Sequence, residues 1–149
     1  MGKFVVSTWA RLLGLTSASY VLWASLWALY HRKLFWDFIG GHLGPHGVIP
    51  SPKAGFLVKV IVDYPVVQLV NLILAVFLVA LEYPVPFGSV GGTGLARSIR
   101  LRVAVYLVAS ALAGLVYQSV DGGVFYLITG VVYVVSARNG DEIGGSRSR

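Results

Sequence analysis

Cysteine is absent from the 149 residues of this chain, and several kinds of chemistry are absent with it. Disulfide bonds, palmitoylation, thiolate catalysis and cysteine-based zinc sites all require a sulfur that this sequence does not contain. N-glycosylation is not expected either, because neither Asn71 nor Asn139 is followed by the required Ser or Thr. Val6 stands where the N-myristoylation pattern has Ser or Thr, so a myristoyl anchor is not predicted.

Charge is also scarce. Charged residues make up 12% of the chain, hydrophobic residues make up 56%, and the mean hydropathy is +0.76. A soluble domain has about a quarter of its residues charged, so this chain has too little polar surface to dissolve as a globule. The net charge of +6 does not indicate a nucleic-acid partner, because the basic residues form short groups at the ends of apolar runs. The expected partner is the lipid bilayer.

Reactive motifs are missing as well. The sequence has no Ser-His-Asp pattern, Walker loop, G-x-S-x-G or H-E-x-x-H. His42 and His46 have the spacing of half a metal site, but Gly and Pro lie between them and no third ligand is evident. Asp37 or His31 would complete such a site only through a fold that the spacing does not indicate. We therefore predict no catalytic residue, no metal, no cofactor and no enzymatic activity.

Long uncharged runs are what the sequence does contain. A helix needs roughly 20 apolar residues to cross a bilayer, and a signal peptide has a shorter apolar core than the first of these runs. The predicted fold is an all-α membrane protein with one four-span domain (residues 1–138) and a disordered polar tail (residues 139–149). The predicted transmembrane helices cover residues 12–30, 64–82, 103–120 and 122–137.

The segment between the first two spans is predicted to be an interfacial loop and helix on the lumenal or exterior side. Phe35, Trp36 and Phe38 form an aromatic cluster typical of an anchor at the membrane interface. Glycines and prolines then interrupt helical structure until an apolar stretch resumes at Ala54. A bend is expected near Pro65, because proline lacks the backbone donor that a continuous helix needs.

The second span is the only one with a polar stripe. Three- and four-residue steps place the stripe on one helix face: Gln68, Asn71, Ala75, Val79 and Glu82. The opposite face is apolar and is expected to contact lipid: Val70, Leu74, Phe77 and Leu81. The two amides are interpreted as hydrogen-bonding groups between helices, with a substrate or ion contact as the alternative.

Glu82 is expected near the cytosolic end of the second span. Arg97, Arg100 and Arg102 follow after a glycine-rich segment and are the candidate ion-pair partners. An ion pair that closes a turn is the favoured interpretation. The alternative is an acid that handles protons or cations, because carboxylates within membranes often mark ion pathways.

Four spans place both termini on the same side, and basic residues predict which side that is. The terminal side collects Lys3, Arg11, Arg97, Arg100, Arg102, Arg138, Arg147 and Arg149. The other side holds Arg32, Lys33, Lys53 and Lys59. Because positive charge concentrates in cytoplasmic segments, both termini are predicted to be cytosolic, in an endomembrane (ER or Golgi) or the plasma membrane.

Several motifs carry a resemblance to a known family. They are WARL (9–12), RKLFWDFIGG (32–41), LGPHGVIP (43–50), ALEYPVPF (80–87) and YQ (117–118). With these motifs the chain resembles a fungal family of small four-span integral membrane proteins of unknown function. The resemblance implies a fungal source and a four-helix membrane fold, and it implies no activity or ligand. A weaker likeness, in topology alone, is to small tetraspan Golgi vesicle membrane proteins.

The function predicted from the sequence is therefore a non-enzymatic structural, accessory or trafficking-related component of a membrane. Small residues four apart, such as Gly14 and Ala18, would allow close helix contact within the chain, with a membrane protein partner, or in self-association. The alternative is a small oligomeric channel, or a proton- or ion-coupled transporter, that uses the polar face of the second span.

Overall fold

The computed structural model describes residues 6–83 and 98–140, and this part of the chain is mostly helical, as predicted. The α-helices are α1 (Val6–Tyr30), α2 (Gly55–Val58), α3 (Val66–Glu82), α4 (Ile99–Ala113) and α5 (Val120–Arg138). The remaining helical turns are three 3-10 turns, Phe35–Phe38, Pro52–Ala54 and Tyr117–Ser119, and one π-helical turn, Lys59–Asp63.

The four longer helices pack as an antiparallel ring. α1 contacts α3 and α5, and α4 contacts the same two helices from the other side. α1 and α4 begin at one end of this bundle, which we call the terminal end, and α3 and α5 finish there. The opposite end carries the segment between α1 and α3 and is called the hairpin end.

Small side chains fill the centre of the bundle. The alanines with at most 1% exposure in this core are Ala10, Ala18, Ala75, Ala109 and Ala113. Gly14 and Ala18 are both buried, which confirms that this side of α1 faces other helices. Alanine and glycine let helix backbones approach closely, so the ring closes without a thick layer of large side chains.

The connection between α4 and α5 lies earlier than the sequence indicated. The predicted spans 103–120 and 122–137 place the connection at Asp121, but Asp121, Gly122 and Gly123 lie in the first turn of α5, and α4 ends at Ala113 rather than near Val120. A Cβ on Gly122 would overlap the Val21 side chain of α1, and one on Gly123 would lie 3.0 Å from Ser110 O. These glycines therefore serve close packing of helices rather than a turn.

The segment between α1 and α3 contains a feature that an all-α prediction missed. Strands β1 (His42–Gly44) and β2 (Gly47–Ile49) form a two-stranded antiparallel hairpin. Only Pro45 and His46 connect the strands, and Gly47 has φ +119°, a backbone conformation that favours glycine. The hairpin was not predicted, because three-residue strands are too short to show alternation in the sequence.

The bend predicted near Pro65 is confirmed. The helical segments Pro52–Asp63 and Val66–Glu82 meet at an angle of 62°. By length and composition, α1 and the Tyr117–Arg138 segment could each cross a membrane, and the bent pair could make a third span. α4 has 15 residues, so its length alone does not establish the fourth predicted span.

Candidate functional site

Glu82, the last residue of α3, is the centre of a buried polar cluster at the terminal end. The residue is 2% exposed, and its carboxylate forms an ion pair with Arg102 of α4. The Tyr106 hydroxyl donates to Glu82 Oε1 over 3.1 Å. The Tyr133 hydroxyl of α5 lies 2.7 Å from both carboxylate oxygens. Donors from α4 and α5 thus converge on an acid from α3.

Arg102 is as deeply buried as the acid it neutralises. It is 2% exposed, and its Nη1 lies 3.2 Å from the Tyr133 hydroxyl. Its Nη2 donates to the carbonyl of Leu81 over 3.2 Å, and its guanidinium lies 5.6 Å from the centroid of the Tyr133 ring. A buried ion pair is stable only if its remaining donors find partners, and Arg102 meets that requirement with backbone and hydroxyl oxygens.

Arg11 of α1 approaches the same cluster from its edge. Its Nη2 donates to the Glu82 carbonyl over 3.1 Å, and its Nε lies 3.8 Å from Oε2 of the carboxylate. The last carbonyls of a helix lack intrahelical partners and carry partial negative charge. Arg11 and Arg102 together satisfy two of these carbonyls at the end of α3.

Close packing leaves little room around the Tyr106 hydroxyl. A Cβ built on Gly14 of α1 would overlap that oxygen and would lie 3.3 Å from Cγ of Glu82. The hydroxyl therefore occupies the space that the missing side chain of Gly14 leaves open. Gly14, Glu82, Arg102, Tyr106 and Tyr133 are named the Glu82 cluster, which connects all four long helices.

The other predicted arginines lie elsewhere. Arg97 is outside the described residues. Arg100 is exposed on the outer side of α4, because residues two apart on a helix do not share a face. Of the candidate partners that the structure describes, Arg102 alone forms an ion pair with Glu82.

The two amides of the polar stripe point into the bundle. Gln68 is fully buried and its Nε2 donates to the carbonyl of Ile61 over 2.7 Å, across the bend before α3. Asn71 is 2% exposed and its Nδ2 donates to the carbonyl of Leu112 in α4 over 3.2 Å. One amide thus stabilises the bend and the other connects two helices. Leu81, which was expected to contact lipid, is buried because it adjoins the Glu82 cluster.

The aromatic residues predicted as an interfacial anchor lie at the hairpin end. Phe38 is 55% exposed, while Phe35 packs edge-on against Trp36. Trp36 donates through its indole nitrogen to the carbonyl of Gly114 over 2.9 Å. The cluster therefore holds the segment after α1 against the turn between α4 and α5, in addition to exposing apolar surface.

The two histidines with the spacing of half a metal site lie in different parts of the hairpin. His42 lies in β1, whereas His46 lies at the tip of the hairpin. Within residues 6–83 and 98–140, no three His, Asp, Glu or Cys side chains form a group that could hold a metal ion.

Sequence reasoning missed three members of the Glu82 surroundings, namely Arg11, Tyr106 and Tyr133. A spacing signal was present, because Tyr106 follows Arg102 by one helical turn and therefore shares its face. Tyr126 and Tyr133, seven residues apart, likewise share one face of α5, and both are at most 1% exposed. A buried acid in an apolar helix needs donors, and tyrosines on helix faces were the donors to look for.

Comparison with known proteins places the chain in one family. No curated protein and no solved structure matches it. A family model described as "Domain of unknown function (DUF7727)" matches residues 1–141. That match covers the whole bundle and the Glu82 cluster, and the chain therefore belongs to the DUF7727 family.

Proposed function

We propose that this protein is an integral membrane protein that crosses the bilayer four times. Its distribution of polarity supports the proposal, since the outer surface of the bundle is apolar and its interior holds polar groups. Large apolar side chains at least 46% exposed include Trp23, Ile73, Val108, Leu127 and Val131. The buried polar residues include Ser17, Gln68, Asn71, Glu82, Arg102 and Thr129. In water this arrangement would leave apolar side chains in contact with solvent and bury charged groups. In a bilayer the apolar side chains contact lipid, and the polar groups pair with one another inside the bundle.

The antiparallel ring supports the fourth span. α3 packs against α1 and α4 packs against α5, so a bilayer that surrounds the two longer helices also surrounds the two shorter ones. α4 has 15 residues and is about 22 Å long, which is short for a hydrocarbon core of about 30 Å. Local thinning of the bilayer and long arginine side chains that reach the interface accommodate such a mismatch.

The proposed role is a non-enzymatic structural, accessory or trafficking-related component of a fungal membrane, either an endomembrane or the plasma membrane. Both termini would face the cytosol, and a membrane protein partner or a second copy would complete the assembly. The observation that supports this role is that the Glu82 carboxylate is fully buried and fully paired. Its carboxylate is 0% exposed and is surrounded by the guanidinium of Arg102 and by two tyrosine hydroxyls. Such an acid fixes helix positions and does not present a reactive group.

A second candidate function is a small oligomeric channel, or a proton- or ion-coupled transporter, along the polar face of α3. It is favoured by unsatisfied polar atoms in the interior. Gln68 Oε1 and Ser25 Oγ are both buried without a hydrogen-bond partner. Polar atoms of this kind could contact a permeating ion or water.

One pair of measurements on Glu82→Gln separates the two functions. For a structural cluster, the variant leaves Arg102 buried without a countercharge, and we expect a loss of about 3–5 kcal/mol of stability in mild detergent. The double variant Glu82→Met/Arg102→Met should lose much less than the sum of the single variants, because it removes both charges. Liposomes containing the wild-type chain should show no pH- or voltage-dependent flux. Flux that is present in the wild type and lost in a stably folded Glu82→Gln variant would instead establish the transporter.

A further inference from the structure

An apolar groove with two arginines lies on the outside of the bundle at its terminal end. The groove has a volume of about 350 Å³ between the start of α4 and the end of α5. Its lining residues are Ile99, Arg100, Val103, Val134, Ala137 and Arg138. Nearly all of its lining surface is apolar, so Arg100 and Arg138 line it mainly with their aliphatic stems, and their charged ends lie at its edge. We propose that this groove binds one anionic phospholipid, an inference that rests on the proposed membrane location.

The arginines are available for an external anion. Arg100 and Arg138 are both exposed, and no carboxylate in the described part of the chain forms an ion pair with either of them. The one nearby buried acid, Glu82, is already paired with Arg102. A phosphate diester offers oxygens that guanidinium groups bind well, and two exposed guanidinium groups beside an apolar surface suit a ligand with an anionic head and an apolar chain.

The apolar lining selects a lipid rather than a free phosphate. Val103 is half-buried and Val134 is exposed, and together they provide an aliphatic surface between the two helices. An acyl chain that lies along this surface would place its headgroup at the end of the bundle, where the arginines are. The same end is predicted to face the cytosolic leaflet, in which anionic lipids concentrate and attract basic residues near the surface.

Native mass spectrometry of the full chain, titrated with phosphatidylserine or phosphatidylcholine of identical acyl chains, tests the proposal. We expect phosphatidylserine to bind about 30-fold more tightly, since each of two basic residues contributes a factor of about five. Arg100→Ala/Arg138→Ala should reduce that preference to less than threefold, whereas Arg100→Lys/Arg138→Lys should keep most of it. Lys53→Ala/Lys59→Ala removes two charges at the hairpin end and should change nothing.

A second variant and a soluble probe distinguish the lipid from a free headgroup. Val134→Trp fills the groove without changing its charge and should weaken binding of both lipids. Glycerophosphoserine, which has no acyl chain, should bind the wild type at least 100-fold more weakly than phosphatidylserine. Equal affinity for the two lipids, a preference that survives Arg100→Ala/Arg138→Ala, or tight binding of glycerophosphoserine would each overturn the inference.

Failure of the membrane proposal would be recognised separately. If the wild-type chain resists alkaline extraction from liposomes but shows no lipid preference, the membrane location stands and the groove does not bind an anionic lipid. If the chain is extracted by alkali, both the membrane location and this site are wrong.

Discussion

At the scale of single residues, the organisation of this protein follows from one buried carboxylate. Glu82 is 2% exposed in an apolar bundle, where an unpaired charge would cost several kcal/mol. The chain compensates with one full ion pair, two tyrosine hydroxyls and a second arginine at the edge. Each compensating group comes from a different turn or helix, so satisfying the acid also fixes how the helices pack.

The closest packing in this cluster predicts the effect of Gly14→Ala. The new methyl group would overlap the Tyr106 hydroxyl, so we expect a loss of about 1–3 kcal/mol in stability, measured by thermal unfolding in mild detergent. Tyr106→Phe removes the overlapping oxygen, so the double variant should recover most of the loss that Gly14→Ala causes. Gly55→Ala is the matched control, because its added Cβ meets no atom within 4 Å. Equal effects of the two alanine substitutions would contradict the packing at Gly14.

At the scale of helices, glycines determine how closely α1, α4 and α5 approach. Gly122 and Gly123 face different neighbours, namely the Val21 side chain on α1 and the backbone of α4 near Ser110. Glycine within a helix costs up to about 1 kcal/mol relative to alanine. The close contact of three helices offsets that cost here.

Gly122→Ala and Gly130→Ala, both in α5, should therefore differ in their effect on stability. At Gly122 the added methyl overlaps Val21, and we expect stability to fall by about 1–3 kcal/mol. At Gly130 the nearest atom is Tyr106 Cβ at 3.6 Å, an ordinary contact, so alanine should be neutral or stabilising by up to about 1 kcal/mol. Unfolding of both variants in the same detergent provides the comparison. If the Gly122→Ala variant were as stable as the Gly130→Ala variant, α1 and α5 would not pack as closely at Gly122 as described.

Features that depend on residues close in sequence could be predicted from the sequence. The bend at Pro65 and the inward face of Gln68 and Asn71 follow from local rules, namely the missing proline donor and helical spacing. Arg102 was among the predicted partners of Glu82, but its distance along the sequence did not distinguish it from Arg100. The structure distinguishes them, because Arg102 lies on the inward face of α4 and Arg100 on the outward face.

Other elements depend on contacts that no local pattern records. The same Gly122-Gly123 pair suits a turn or a close helix contact, and its neighbour on α1 decides between the two. Arg11 is 71 residues away from Glu82 in sequence, so its contact exists only in the assembled bundle. The hairpin at 42–49 is stabilised by strand pairing too short to appear as a periodic pattern.

At the scale of the whole molecule, the bundle has an apolar exterior and an interior that also holds buried polar groups, and the proposed four-span topology is the central claim. The claim assigns each connection to a side. In the proposed topology, the hairpin and the turn between α4 and α5 would face the lumenal or exterior side. The segment that joins α3 to α4 in sequence, and both termini, would face the cytosol.

Single-cysteine labelling tests this topology directly, and the absence of native cysteine gives it a clean background. The introduced thiols would be His46→Cys, Tyr117→Cys, Ser89→Cys and Ser148→Cys, probed in sealed vesicles with an impermeant maleimide. We predict that residues 46 and 117 react only from the lumenal or exterior face and that residues 89 and 148 react only from the cytosolic face. Reaction of all four from one face, or of residues 46 and 148 from the same face, would contradict the four-span account.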